Sequence, residues 1–119
     1  MIIKQIMTSN LICISPFASA AEASSLMIKF RVRRLLVVEN NILIGLISHN
    51  DLPQQIKPQL SVKDIMTINP VSVNENADIS EAAIIMQQLN IGSLPVINDY
   101  GNAVGIITNY DLNNKKLLN

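Results

Sequence analysis

Residues 45–52 read GLISHNDL and residues 105–112 read GIITNYDL. Both run glycine, two aliphatics, a hydroxyl residue, two variable positions, aspartate and leucine, sixty positions apart. Such a duplication restricts the chain to architectures that use one unit twice, because a small repeated unit leaves an apolar face that only its copy is shaped to cover. A shift of 59 aligns Ile6-Met7-Thr8 with Ile65-Met66-Thr67, Asn10 with Asn69 and Ala18 with Ala77. The same shift aligns Glu22-Ala23 with Glu81-Ala82, Met27 with Met86, Leu35 with Leu94 and Val37 with Val96. After the ENN and NDYG turns one inserted residue moves the shift to 60, and Gly45, Ile47, Asp51 and Leu52 match Gly105, Ile107, Asp111 and Leu112.

Each half carries the same run of patterns. A short extended segment (11–14; 71–73) precedes a stretch with Ala, Leu, Met and Ile at i, i+3 and i+4, the period of an amphipathic helix. In the second half Asp78 or Ser80 is placed to start that helix, and Asn90-Ile91-Gly92 to end it through a left-handed glycine. Two aliphatic, β-branched runs follow in each half, 35–38 and 42–47, then 94–97 and 103–107. The Asn, Asp and Gly between them predict strand, turn, strand. A short helix beginning near Ser48 or Thr108 closes each half; Pro53 and Pro58 mark the end of the first, and residues 54–60 read as a connector. The expected fold is α+β, a β-α-β-β-α unit in residues 1–58 and again in 59–119, the two packed through their small sheets with pseudo-twofold symmetry.

At 49% hydrophobic and 3% aromatic, the core has to be built from Ile, Leu, Val, Ala and Met. A net charge of zero and a pI near 6.5 offer no electrostatic footprint for nucleic acid or an anionic membrane. No apolar run approaches the roughly 18 residues of a membrane span. One cysteine, Cys13, and no secretory leader pattern make the cytoplasm the expected compartment, with Cys13 as a small core residue. One histidine, one cysteine and no Gly-rich phosphate loop or metal-ligand spacing argue against an enzyme.

The chemistry gathers in the two endings. Each puts a hydroxyl and a carboxylate where a strand passes into the first turn of a helix, whose unpaired N–H groups favour an anion. Ser48 or Thr108 can donate to a phosphate. Asp51 or Asp111 can accept from both hydroxyls of a ribose, the role an acidic residue plays in unrelated nucleotide folds. The same spacing is also a capping box, which stabilises a helix start with no ligand present. Both roles stay open, since a ligand can recruit a side chain that otherwise caps.

With Ile6-Met7-Thr8 and Asp64-Ile65-Met66-Thr67, Arg33-Arg34-Leu35-Leu36-Val37-Val38 and Ser93-Leu94-Pro95-Val96-Ile97, and the two endings, nearly the whole chain resembles a tandem pair of CBS motifs, a Bateman module. The resemblance implies a regulatory, energy-sensing module, commonly a homodimer, that binds AMP, ADP, ATP or S-adenosylmethionine in the cleft between its motifs and signals by conformational change to an effector protein not yet identified. A dimerising pair that has lost its ligand is the alternative. By resemblance, the slot for Asp111 and Thr108 is formed with Ile106, Asn10, Leu11, Ile12, Val32 and Arg33. The slot for Asp51 and Ser48 is formed with Asn69, Pro70, Val71, Ile91 and Gly92. Arg33 and Arg34 are the expected phosphate partners, because guanidinium forks match phosphate oxygens. The second half has Ser93 where the first has Arg34, so the two sites are unequal, and the arginines rank Asp111 ahead of Asp51. His49 is within reach of a phosphate at Ser48, and Tyr110 sits in the matching variable region.

Overall fold

The computed structural model describes residues 1–115. It is α+β and contains two compact units, one formed by residues 12–70 and the other by residues 1–11 together with residue 71 onward. The cut expected at 58/59 separates repeats along the sequence, whereas the compact units divide at 11/12 and 70/71. Each half thus lends its leading segment to the unit built on the other half's helix and hairpin. Positions 116–119 of the second half lie outside the described residues.

In the 12–70 unit the order is β1 (Cys13–Ile14), α1 (Ala20–Phe30), β2 (Arg34–Glu39), β3 (Ile42–Ser48), α2 (Val62–Ile65) and β4 (Thr67–Ile68). The strands lie side by side as β1-β2-β3-β4, with β1 parallel to β2 across α1 and the other pairs antiparallel. Ser19 starts α1, its hydroxyl accepting from the Glu22 N–H at 3.0 Å. Ala20, Ala23 and Met27 form the helix's buried face, and Ala23 and Met27 pack with Leu35, Val37, Ile47 and Val62. The hairpin turns on Asn40 and Asn41, both left-handed (φ 52° and 69°), the conformation a two-residue turn demands and asparagine tolerates.

The second unit contains β5 (Val73–Asn74), α3 (Ile79–Leu89), β6 (Ser93–Ile97), β7 (Ala103–Thr108) and a wide helical turn over Asp111–Lys115. Its sheet order is β5-β6-β7. Asp78 caps α3 by accepting from the Ser80 N–H at 2.9 Å, and Ile79, Ala82 and Met86 bury against Leu94, Val96 and Ile107. The leader completes this core: Ile3 is 0% and Ile6 4% exposed. Thr8 then exchanges two 2.9 Å backbone bonds with Ile106 on β7, as Thr67 and Ile68 pair with Leu46 and Gly45 on β3.

Two duplicated motifs meet in that pairing. A Cβ built on Gly45 would stand 2.6 Å from the Met66 sulfur, and one built on Gly105 would run into the Met7 sulfur. The repeated Ile-Met-Thr triplet and the repeated glycine are two sides of one contact, used once in each unit.

The hairpins and both long helices lie where their sequence periods put them. Four details differ. Asn90, at φ 53°, ends α3 in place of Gly92, because an asparagine side chain can support the left-handed conformation. The first closing helix is a single turn, His49–Asp51, cut short ahead of Pro53. The connector is followed by α2, four residues too short to show a helical period. Cys13 is exposed, because strand alternation turns Ile14 inward, and desolvation by its neighbours raises the thiol above its ordinary value.

Candidate functional site

At the end of β3 the backbone leaves the sheet and makes the turn His49–Asp51. Asp51 folds back so that its Oδ2 accepts from the Ser48 N–H at 2.8 Å and from the Ser48 hydroxyl at 3.1 Å. The capping role is therefore filled. Its Oδ1 accepts no hydrogen bond from the described residues, and the side chain is half-buried.

Sheet register brings the arginines to this turn. Arg34 lies opposite Ser48 in the β2–β3 pairing, and the Arg33 carbonyl accepts from the His49 N–H at 2.8 Å. Arg33, Arg34, Leu46, Ser48, His49 and Asn50 line a cavity of about 200 Å³. The residues around this small volume thus carry two guanidinium groups, one hydroxyl, one imidazole and one amide, and no acidic residue is among them.

The equivalent junction of the other unit is built differently. The Thr108 N–H donates to Asp111 Oδ2 at 3.1 Å and the Asp111 N–H donates to Thr108 Oγ1 at 3.1 Å. The Thr8 hydroxyl, brought by the leader, donates to both Asp111 oxygens at 3.4 Å, and Asp111 is 2% exposed. Gly92 and Ser93 occupy the positions of Arg33 and Arg34: Ser93 pairs with Thr108, and the Gly92 carbonyl accepts from the Asn109 N–H at 3.0 Å. A cavity of about 380 Å³ lies beside α3, lined by Ile79, Ser80, Met86, Gln87, Ile91, Leu112 and other apolar and amide residues. It is the roomier of the two, yet neither Asp111 nor any cation lines it, so the smaller, basic cavity is the better match for an anion.

Of the residues expected around Asp111 and Thr108, the structure keeps Ile106, Asn10 and Leu11 in the same unit and puts Ile12, Val32 and Arg33 in the other. Of those expected around Asp51 and Ser48, Asn69 and Pro70 share their unit, and Val71, Ile91 and Gly92 belong with Asp111. Arg33 and Arg34, ranked with Asp111, share a unit with Ser48 and Asp51. Tyr110 is 69% exposed. Sequence reasoning missed Thr8 as a partner of Asp111; its signal was its place in the duplicated triplet. The Leu36 N–H donates to the Ile12 carbonyl at 3.2 Å, whereas Pro95 has no N–H for Val71, so replacing proline by leucine changes how the first strand is held.

No described helix is long and apolar enough to cross a membrane. Among the described residues no group of three or more His, Cys, Asp or Glu side chains could hold a metal ion.

A family model for the CBS domain matches the chain twice, over residues 3–56 and 62–116. The chain is 33% identical over 115 residues to the CBS domain-containing protein YhcV of Bacillus subtilis, covering 92% of this chain and 81% of that protein. It is 30% identical over 113 residues to the L-aspartate semialdehyde sulfurtransferase of Methanocaldococcus jannaschii, covering 93% of this chain and 22% of that one. The chain thus spans about a fifth of the length of the enzymes it matches. Among solved structures it is similar to the CBS domain pair of protein MJ0100 in complex with 5′-methylthioadenosine and S-adenosyl-L-methionine, with a TM-score of 0.82, 29% identity and coverage of 99% and 95% of the two chains. It is also similar to CBSX2 in complex with AMP, with a TM-score of 0.88, 25% identity and coverage of 98% and 96%.

Proposed function

Because the chain belongs to the CBS-domain family, we propose that it is a regulatory module that binds an adenosine-containing ligand, either AMP, ADP or ATP or S-adenosylmethionine, and passes the binding on as a change of conformation. The observation that carries this is the β3 junction. There a carboxylate with one oxygen that accepts nothing from the described residues is held on Ser48, which lines a cavity together with Arg33 and Arg34. Asp51 takes the ribose hydroxyls, and Ser48 with Arg33 and Arg34 takes the phosphate or its equivalent. The similarity to pairs solved with AMP and with S-adenosyl-L-methionine supports the adenosine class. This assignment turns the sequence ranking round, putting Asp51 ahead of Asp111. The arginines share the unit of Asp51, and both oxygens of Asp111 already accept from Thr8.

The module acts as a homodimer that an effector protein reads. Phe30 and Leu89, the last residues of α1 and α3, are 46% and 50% exposed and give each unit an apolar helix end for a second copy. A ligand shifts the equilibrium only by its difference in affinity for the two arrangements.

Calorimetric titration with AMP, ATP and S-adenosylmethionine tests the reading. Asp51→Asn keeps an acceptor for the cap but removes the charge, so affinity falls by about tenfold to a hundredfold, the worth of a charged hydrogen bond. Asp111→Asn leaves affinity within about threefold, a difference under 1 kcal/mol. The reverse order refutes the assignment. The second reading, a dimerising pair that takes no ligand, is favoured by the full engagement of Asp111 and gains if no compound binds.

A further inference from the structure

The two endings share their residue types but not their hydrogen bonds. Asp111 is 2% exposed, and the Thr8 hydroxyl donates to both of its oxygens at 3.4 Å. Asp51 is half-buried and accepts from Ser48 alone among the described residues. Thr67 stands to Asp51 as Thr8 stands to Asp111, since Thr67 pairs with Leu46 on β3 and Thr8 with Ile106 on β7, the matching strand positions. Yet Thr67 is exposed, and among the described residues its hydroxyl makes no bond to Asp51. Both residues are threonine, so residue type does not explain the difference. The closing segments do differ: the first is the single turn His49–Asp51, the second a wide helical turn over Asp111–Lys115. In the second the Asp111 N–H donates to Thr108 Oγ1 at 3.1 Å, and the carboxylate is turned inward to where the leader's hydroxyl meets it.

We propose that Thr8 is an autoinhibitory latch: it keeps the Asp111 junction from taking a ligand, so that the chain works with one site, at Asp51, and carries a latent second one. The inference rests on the adenosine reading above and adds to it a limit on stoichiometry and the residue that sets it. The two hydroxyls of a ribose would donate to the two carboxylate oxygens, and Thr8 already donates to that same pair, so leader and ligand compete for one set of acceptors. The leader does not withdraw easily. Thr8 exchanges two 2.9 Å backbone bonds with Ile106, Met7 closes on Gly105, and Ile3 and Ile6 are buried. A threonine side chain is also stiff at its first torsion, so the hydroxyl stays where the strand pairing puts it. Removing the hydroxyl while keeping the leader is therefore what unlatches the junction. Bonds to a charged group are worth about tenfold to a hundredfold, and these are long, so the gain in affinity there is expected to be about tenfold.

The test is calorimetric titration of the full chain with AMP, on wild type, Thr8→Val, Thr8→Ser, Thr67→Val and the Thr8→Val, Asp111→Asn double variant. Wild type, Thr8→Ser and Thr67→Val are expected to bind one AMP per chain. Thr8→Val should bind a second, about tenfold tighter than any second binding in wild type, and the added Asp111→Asn should abolish it. Amide exchange without AMP reads the latch independently: in Thr8→Val the Thr108 and Asp111 amides should exchange faster while that of Ile106 is unchanged. Two equal AMP sites in wild type, one site in Thr8→Val, or unaltered exchange at Thr108 and Asp111 overturns this inference and leaves the adenosine reading standing. Absence of AMP binding by every form overturns both.

Discussion

Gly105 and Met7 stand 98 positions apart in sequence and share one contact, as do Gly45 and Met66. An added methyl at Gly105 has no space, because the Met7 side chain closes on it from one side and the Thr8 carbonyl lies 3.1 Å away. Gly105→Ala should therefore cost about 1–3 kcal/mol by overpacking, read as a lowered urea midpoint, with Met7→Ala restoring part of the loss in the double variant. A second prediction at this scale concerns acid. The Ser80 hydroxyl, then the Ser80 N–H, holds Asp78 below its ordinary value; the Ser61 N–H, then the Ser61 hydroxyl, does the same for Asp64. Carboxylates lowered in the folded state stabilise it above the unfolded value near 3.9, and that stability is lost as pH falls through the lower folded values. Wild type should thus melt higher than the Ser61→Ala, Ser80→Ala double variant at pH 6. The gap should close as pH falls below the usual carboxylate range; a constant gap would mean the serines act by other means. The acids and hydroxyls of both endings were readable from spacing alone. Thr8 as a partner of Asp111 was not, because nothing local to either residue points to the other.

Both long helices end on a residue in the left-handed conformation, Arg31 at φ 55° and Asn90 at φ 53°. Arginine has no side-chain compensation for the clash of its Cβ there, and asparagine does. Arg31→Gly should raise stability by about 0.5–1 kcal/mol while Asn90→Gly changes it little, measured as denaturation midpoints. Equal effects at the two sites would show that the asparagine side chain gives no advantage over arginine in this conformation. The helices and hairpins were legible because eleven-residue and five- to seven-residue stretches are long enough to express their periods. α2 was hidden because four residues with one buried side chain, Val62, contain no period to read. Gly92 drew the helix end two residues too far because glycine is the commoner left-handed residue, and Asn90 had already met the need.

The exchange of leaders belongs to the whole chain. Sequence repetition cannot show which copy a leader joins, since both offer the same glycine to the same Ile-Met-Thr triplet. Burial decides it: Ile3 and Ile6 lie in one cluster with Val73, Leu94 and Ile107. Ile3→Ala should cost about 2–5 kcal/mol, with amide exchange accelerating in residues 71–115 and not in residues 12–59. The opposite pattern would return the leader to its own repeat. The function proposed for the molecule rests on a ligand meeting the basic junction at Ser48, and backbone amide shifts of the ¹⁵N-labelled chain during AMP titration test that most directly. The largest shifts should fall on Arg33, Arg34, Ser48, His49 and Asp51; saturating AMP that leaves those five amides in place, or moves only those around the cavity beside α3, would contradict it.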